Sequence, residues 1–226
     1  MTRLSVNLNK IALIRNSRGS NFPDLIEVAK DCERFGAQGI TVHPRPDERH
    51  CKFSDLQPLK DICTTEFNIE GFPDDHFMQE VLKVKPHQCT LVPDDPTQIT
   101  SDHGWNTIKD FDFLKERIST LKQNGIRVSL FIDPNTEFIE HAAKVGADRI
   151  EYYTGPFAKQ FSSDPGNAIK DIKATCEIAI KNGLGINAGH DLNLDNLKYL
   201  KQNLPQLDEV SIGHALICDA IYLGLE

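Results

Sequence analysis

Eight apolar runs of strand length, each followed by a helix-patterned segment, constrain this chain more than any other feature. The runs are LSVNLN (4–9), GITVH (39–43), FNIE (67–70), QCTLV (88–92), RVSLFID (127–133), RIEYY (149–153), LGINA (184–188) and EVSIG (209–213). Between or after them lie amphipathic stretches such as DLIEVAKDCERF (24–35), DHFMQEVLKVK (75–85), DFDFLKERISTLKQN (110–124), NTEFIEHAAKV (135–145) and HALICDAIYLGL (214–225). Strands too continuous in apolar character to have a wet face, alternating with helices, predict a parallel sheet covered by helices. The punctuation agrees. FGAQGI, NGIRV, VGADRI and NGLGI each set Gly just past a helix and shortly before a strand, where a left-handed residue closes the helix. Eight such units in 226 residues predict one (β/α)8 barrel domain spanning 1–226. A doubly wound sheet is the competitor, but G-x-G-x-x-G is absent after the first strand.

Two segments strain the rhythm. PDDPTQITSDHGWNT (93–107) after strand four, and TGPFAKQFSSDPGN (154–167) after strand six, are long, polar and turn-rich. Loops of that size are often covers over a site, so 93–107 is expected to act as a lid and 154–167 as a similar loop. Both follow strand C-termini, the face where barrels of this kind do chemistry.

Every polar outlier falls at that same rim. Asn7 and Asn9 end strand one, with Lys10, Arg15 and Arg18 beyond; His43, Arg45 and His50 end or follow strand two; Glu70 closes strand three. Thr100 follows strand four, Glu151 sits near the end of strand six, His190 and Asp191 follow strand seven, and Gly213-His214 ends strand eight. A ring of strands would gather them around one mouth. A partly desolvated Glu70 would have a raised pKa suited to proton transfer. INAGHD and SIGHA supply Gly-flanked turns into helix N-termini, a recurring phosphate site after strands seven and eight, and Arg18 and Arg45 can clamp a second anion. Arg15, Arg49 and Lys10 also fit solvated surface charges, and Asp133, directly before Pro134, fits a helix cap.

The bulk numbers exclude some classes. A net charge of -8 argues against wholesale nucleic-acid binding, and no stretch approaches a membrane span. The N-terminus lacks a signal-peptide pattern, and six scattered cysteines without C-x-x-C read as reduced thiols of a cytoplasmic protein. His43, His190, His214, Glu70 and Glu151 could ligate zinc, but H-x-H and H-E-x-x-H are absent and Arg45 would repel a divalent ion, so no metal is expected.

In order, VNLNKIALIRNSRG, GITVHPRPDERH, NIEG, CTLVP, VSLFID, IEYYTGPFA, INAGHDLN and SIGHALI resemble the pyridoxine 5′-phosphate synthase family of vitamin B6 biosynthesis, over nearly the whole chain. The resemblance implies a (β/α)8 barrel with additional helices, assembled as a homo-octamer and working without a cofactor. The implied reaction condenses 1-deoxy-D-xylulose 5-phosphate with 3-amino-2-oxopropyl phosphate, giving pyridoxine 5′-phosphate, phosphate and water. It implies His43 and Glu70 as bases, His190 as an acid and Glu151 as a stabiliser of charge. Asn7, Arg18, Arg45, His50, Thr100, Gly213 and His214 would hold the two small phosphorylated substrates. Asn9-Lys10 stands where many members have Asp-His, Asp191 where Gly is usual, and Tyr153 replaces a His. Lys10 keeps a donor for the substrates, while Asp191 puts a carboxylate beside a phosphate site. A phosphosugar isomerase or epimerase, or a non-catalytic phosphate-ligand sensor on the same fold, shares the mouth.

Overall fold

In the computed structural model, which describes residues 1–94, 98 and 100–226, eight parallel strands close into a barrel in sequence order. The strands are β1 (Arg3–Asn7), β2 (Gly39–Val42), β3 (Glu66–Gly71), β4 (Gln88–Leu91), β5 (Arg127–Ile132), β6 (Arg149–Tyr153), β7 (Gly185–Gly189) and β8 (Glu209–Ile212). Closure comes from β8 pairing with β1, Val210 opposite Leu4 and Ile212 opposite Val6. The helices are α1 (Asn9–Asn16), α2 (Leu25–Arg34), α3 (Phe53–Ile62), α4 (Asp75–Val84), α5 (Phe111–Gln123), α6 (Thr136–Lys144), α7 (Gly155–Phe161), α8 (Pro165–Lys181), α9 (Leu197–Asn203) and α10 (His214–Leu223). Among the described residues, none is long and apolar enough to cross a membrane.

The main apolar core lies outside the strands. Ile40, Val42, Phe67, Ile69, Leu91 and Leu130 are buried in the same cluster as the helix residues Leu56, Leu59, Val81 and Ile118. The side chains alternating with them are polar and bond to one another inside the ring. Ser5 Oγ meets Thr41 Oγ1 at 2.7 Å, Asn68 Nδ2 donates to Thr41 at 3.3 Å, and Thr90 Oγ1 donates to Asn68 Oδ1 at 3.1 Å. Buried hydroxyls and amides must find partners, and closure supplies them. An apolar outer face and a polar lumen whose groups mostly bond to one another, Ser129 Oγ and Glu209 Oε2 excepted, explain why these strands show no solvated face.

The segment 154–167 departs from the expected loop. It holds α7 and the first turn of α8, because its Pro and Gly residues occupy helix-starting positions rather than turns. Asp164 caps α8 by accepting from the Asn167 amide at 3.0 Å, with Pro165 next to it. Phe157 and Phe161, four residues apart, pack with ring centroids 5.4 Å apart. Strand one also ends earlier than expected, because Asn7 Oδ1 accepts from the Asn9 amide at 3.0 Å and turns the chain into α1. Asp133 does not cap α6. Asn135 does, accepting from the Glu137 amide at 2.9 Å, while Asp133 accepts from the Gly104 amide at 3.0 Å.

Arg15 is not a solvated surface charge. Its guanidinium forks onto Asp55, Nη1 to Oδ1 at 2.8 Å and Nη2 to Oδ2 at 2.9 Å, and only 5% of the residue is exposed. The neighbouring Asn16 amide group lies 3.2, 3.0 and 2.7 Å from the carbonyls of Glu48, Arg49 and His50. The end of α1 thus grips the loop that carries His50. Arg15→Met strands the Asp55 charge and should cost about 2–3 kcal/mol, somewhat under the usual loss for a fully buried pair. Thermal denaturation should show the midpoint falling by roughly 4–12 °C for a domain of this size. A fall under 1 °C would mean that the pair contributes nothing.

Candidate active site

The strand tips are stitched together by two asparagines. Asn7 Nδ2 donates to Glu70 Oε2 at 3.3 Å, linking β1 to β3, and Asn9 Oδ1 accepts from the His43 amide at 2.9 Å, linking α1 to the end of β2. Above this seam opens a cavity of about 550 Å³ at the C-terminal ends of the strands. Thirteen of the fourteen residues picked from the sequence line it: His43, Glu70, Glu151 and His190, together with Asn7, Asn9, Lys10, Arg45, His50, Thr100, Asp191, Gly213 and His214. Arg18 is the exception. It is exposed in the turn after α1, outside the lining, because the helix ends at Asn16 and carries the next residues outward.

His43 sits between two carboxyls, its Nδ1 4.0 Å from Glu70 and its Nε2 4.0 Å from Asp94. Burial, reinforced by the Arg45 and Arg49 cations and by His50 where it too is protonated, pushes its pKa down to about 3, so the imidazole is neutral at neutral pH. Glu70 moves the other way. Burial, then the nearby Asp94 and Glu209 charges, raises it to about 8, against the opposing pull of the Ser211 hydroxyl and Arg45. Glu151 is also raised well above the ordinary value, first by burial and then by Glu70 and Glu209. Its carboxyl occupies the space beside Gly189 where a side chain would otherwise stand. A carboxyl that titrates near 8 has both forms populated near neutrality, and the neutral imidazole beside it can relay a proton from one ring nitrogen to the other.

The anion-holding groups lie around these. Arg45 Nη2 donates to Asp94 at 2.6 Å and its Nη1 to the Gln98 carbonyl at 2.9 Å. Lys10 and His50 line the same wall, and burial followed by Arg49 and Lys10 brings His50 down to about 4. Gly213 and His214 begin α10, whose first amides face the cavity from β8. An added Cβ at Gly213 would come within 2.8 Å of the Asn7 carbonyl, so only Gly lets β8 approach β1 there. His190 faces Thr100, Oγ1 to Nε2 3.0 Å. Thr100 and Ser101 bring the described part of segment 93–107 to the cavity; residues 95–97 and 99 of that expected lid lie outside the described residues.

Sequence reasoning missed Asp94 and Ser211. Ser211 donates to Glu70 Oε1 at 3.5 Å, and its place two residues before Gly213, on the inward phase of β8, was a usable signal. Asp94 is 5% exposed and holds Arg45, but in PDDP nothing local separates it from an ordinary turn residue.

Comparison with known proteins places these residues in a family context. A family model described as pyridoxal phosphate biosynthesis protein PdxJ matches residues 4–226. A Cytophaga hutchinsonii protein named pyridoxine 5′-phosphate synthase is 62% identical over 226 residues, covering 100% of this chain and 95% of that relative. Proteins of the same name from Bacteroides fragilis and Flavobacterium johnsoniae are each 58% identical, with the same 100% and 95% coverage.

Proposed function

The chain belongs to the pyridoxal phosphate biosynthesis protein PdxJ family, and we propose that its barrel mouth carries the family reaction through His43, Glu70, His190 and Glu151. The activity is that of a pyridoxine 5′-phosphate synthase. It condenses 1-deoxy-D-xylulose 5-phosphate with 3-amino-2-oxopropyl phosphate to pyridoxine 5′-phosphate, phosphate and water. One observation carries the assignment of roles: all four groups line a single cavity that Arg45, Lys10, His50 and the start of α10 also line.

The chemistry follows from the protonation states. The substrate amine must shed a proton before it attacks the ketone, and neutral His43 can relay it, accepting at one ring nitrogen while passing its own proton from the other toward Glu70. The carbinolamine must then lose its hydroxyl as water. Glu70, with both forms populated near neutrality, takes a proton from one atom and returns it at another. His190, on the opposite rim, protonates a departing oxygen. Glu151, protonated at rest, gives its proton to a substrate oxygen and then faces, as a carboxylate, the positive charge that develops on nitrogen. Holding two substrates in one cavity removes much of the entropic cost of a bimolecular step. Arg45, Lys10, His50, Thr100, Asn7, Asn9 and the Gly213-His214 turn hold the esters, and Asp191 lines the same cavity without an attraction for phosphate. Arg18 reaches a phosphate only if bound substrate draws its turn inward. The lining positions of Thr100 and Ser101 support segment 93–107 as the cover that excludes water.

Exposed Leu13 and Ile14 on α1, with Ile221, Tyr222 and Leu223 on α10, support the homo-octamer as the assembly. Free cysteines at 32, 51, 63, 89, 176 and 218 support a reducing, cytoplasmic setting.

Incubating the chain with both phosphorylated ketones should generate a pyridine chromophore that co-elutes with pyridoxine 5′-phosphate, and His190→Asn should lower kcat by about 10²-fold or more. Light scattering on the same sample should give about eight times 25.4 kDa. Turnover of a single ketose phosphate alone would indicate an isomerase, and binding without turnover a sensor. His190→Asn at full rate would remove the acid role, and a monomer would remove only the octamer.

A further inference from the structure

The turn after β7 places two consecutive non-glycine residues in the left-handed region, His190 at φ 85° and Asp191 at φ 57°. Such backbone is unfavourable for L residues and persists only where its surroundings over-determine it. They do so here: Thr154 Oγ1 donates to the His190 carbonyl, and Asn196 Nδ2 donates to the Asp191 carbonyl at 3.1 Å. Gly would suit position 191 better on backbone grounds alone. The Asp side chain offers a reason for its presence, since Oδ2 lies 3.2 Å from His190 Nδ1.

The rest of the imidazole is also held. Thr100 Oγ1 is 3.0 Å from Nε2, and the Tyr153 ring meets the imidazole edge-on with centroids 5.1 Å apart. Tyr153 in turn packs on Phe131 at 5.5 Å. His190 Nδ1 is buried and makes no hydrogen bond among the described residues; the 3.2 Å approach of Asp191 falls short in alignment. A small side-chain rotation would close that contact, and among the described residues no other charged group is paired with this ring.

We propose that Asp191 is a positioning residue for His190, its carboxylate fixing the ring with a proton on Nδ1 so that Nε2 is the atom that serves the cavity. This rests on the reading of His190 as the acid. With Nδ1–H directed at Asp191, the neutral ring accepts from Thr100 at Nε2. After taking up a proton, it donates from Nε2 to the departing oxygen, and the carboxylate balances the imidazolium charge. Without the carboxylate, the proton would distribute between the two nitrogens, and part of the population would present the wrong atom.

Asp191→Gly separates this role from a structural one. Glycine relieves the backbone, so the thermal midpoint should hold or rise. The kcat should nevertheless fall by about ten- to hundredfold, part of the ~10²–10⁴ that a positioned acid supplies. The KM values should stay level or drop, because a negative charge has left an anion site. Asp191→Asn, which tolerates the same backbone, should lose rate without any change in fold. Imidazole ¹⁵N shifts of His190 should show one Nδ1–H tautomer in the parent chain and a mixture in Asp191→Gly. If kcat of both variants stays within twofold of the parent while His190→Asn is impaired, the positioning role is wrong and the acid role stands. If His190→Asn is itself unimpaired, the acid role fails, and the ¹⁵N spectra alone decide whether Asp191 fixes the tautomer.

Discussion

Glu70→Gln lowers kcat by about 10³-fold, within the ~10²–10⁴ range of a positioned acid–base group, and at the same time makes the protein more stable in mild alkali. The loss follows from Glu70 being the group nearest to His43 that titrates near neutrality, with a pKa of about 8. The amide cannot carry a proton between atoms. It can keep the contacts, accepting from Asn7 and donating to Ser211 in place of the 3.3 Å and 3.5 Å bonds. The gain in stability follows from linkage. Burial holds Glu70 above its ordinary 4.5, so the folded state keeps a proton that the unfolded chain releases. Its contribution is intact below about 4.5 and is lost as pH climbs to about 8. The glutamine lacks that loss. Its thermal midpoint should match the parent near pH 4 and exceed it by several degrees at pH 8.5. Equal midpoints at both pH values would mean that Glu70 is ionised without penalty.

Gly189→Ala should lower kcat by about 10²-fold although no chemical group is removed. The new methyl would occupy the position of a Glu151 carboxyl oxygen, with Ser211 Cβ 3.5 Å away on the other side. Glu151 is 3% exposed and lines the cavity, so the methyl drives its carboxyl from its place beside Gly189 and near Glu70 into the space that the substrates need. Overpacking of this kind also costs about 1–3 kcal/mol. The double variant Gly189→Ala with Glu151→Ala separates the two effects. Stability should return to near that of Glu151→Ala alone, and activity should not recover. A Gly189→Ala protein with parental kcat would show that the placement of Glu151 does not matter to the reaction.

What could be seen in the sequence was what local chemistry decides. Gly36, Gly125, Gly146 and Gly183 were expected to close helices, and all four have positive φ, at 110°, 76°, 93° and 76°. The RIEYY run became β6 over Arg149–Tyr153 with no change of bounds. The rim residues gathered as expected because a closed parallel barrel leaves one C-terminal face. The rest depends on partners distant in sequence. Arg15 reads as a solvated charge until α1 meets Asp55, and Asp94 reads as a turn residue until its loop crosses to Arg45. α7 was hidden because Pro and Gly start helices as well as turns, and only the buried Phe157 distinguishes the cases. Arg18 was judged by type and motif, whereas its exposure is set by where α1 stops.

The most direct test of a barrel mouth that holds its carboxyls protonated in order to move protons is infrared difference spectroscopy of the parent chain against Glu70→Gln across pH 5 to 10. The parent-minus-variant difference should contain an un-ionised carboxylic C=O component at pH 7 that titrates with a midpoint near 8, over and above the band of Glu151 that both proteins share. A Glu70 carboxylate already ionised at pH 5 would contradict it.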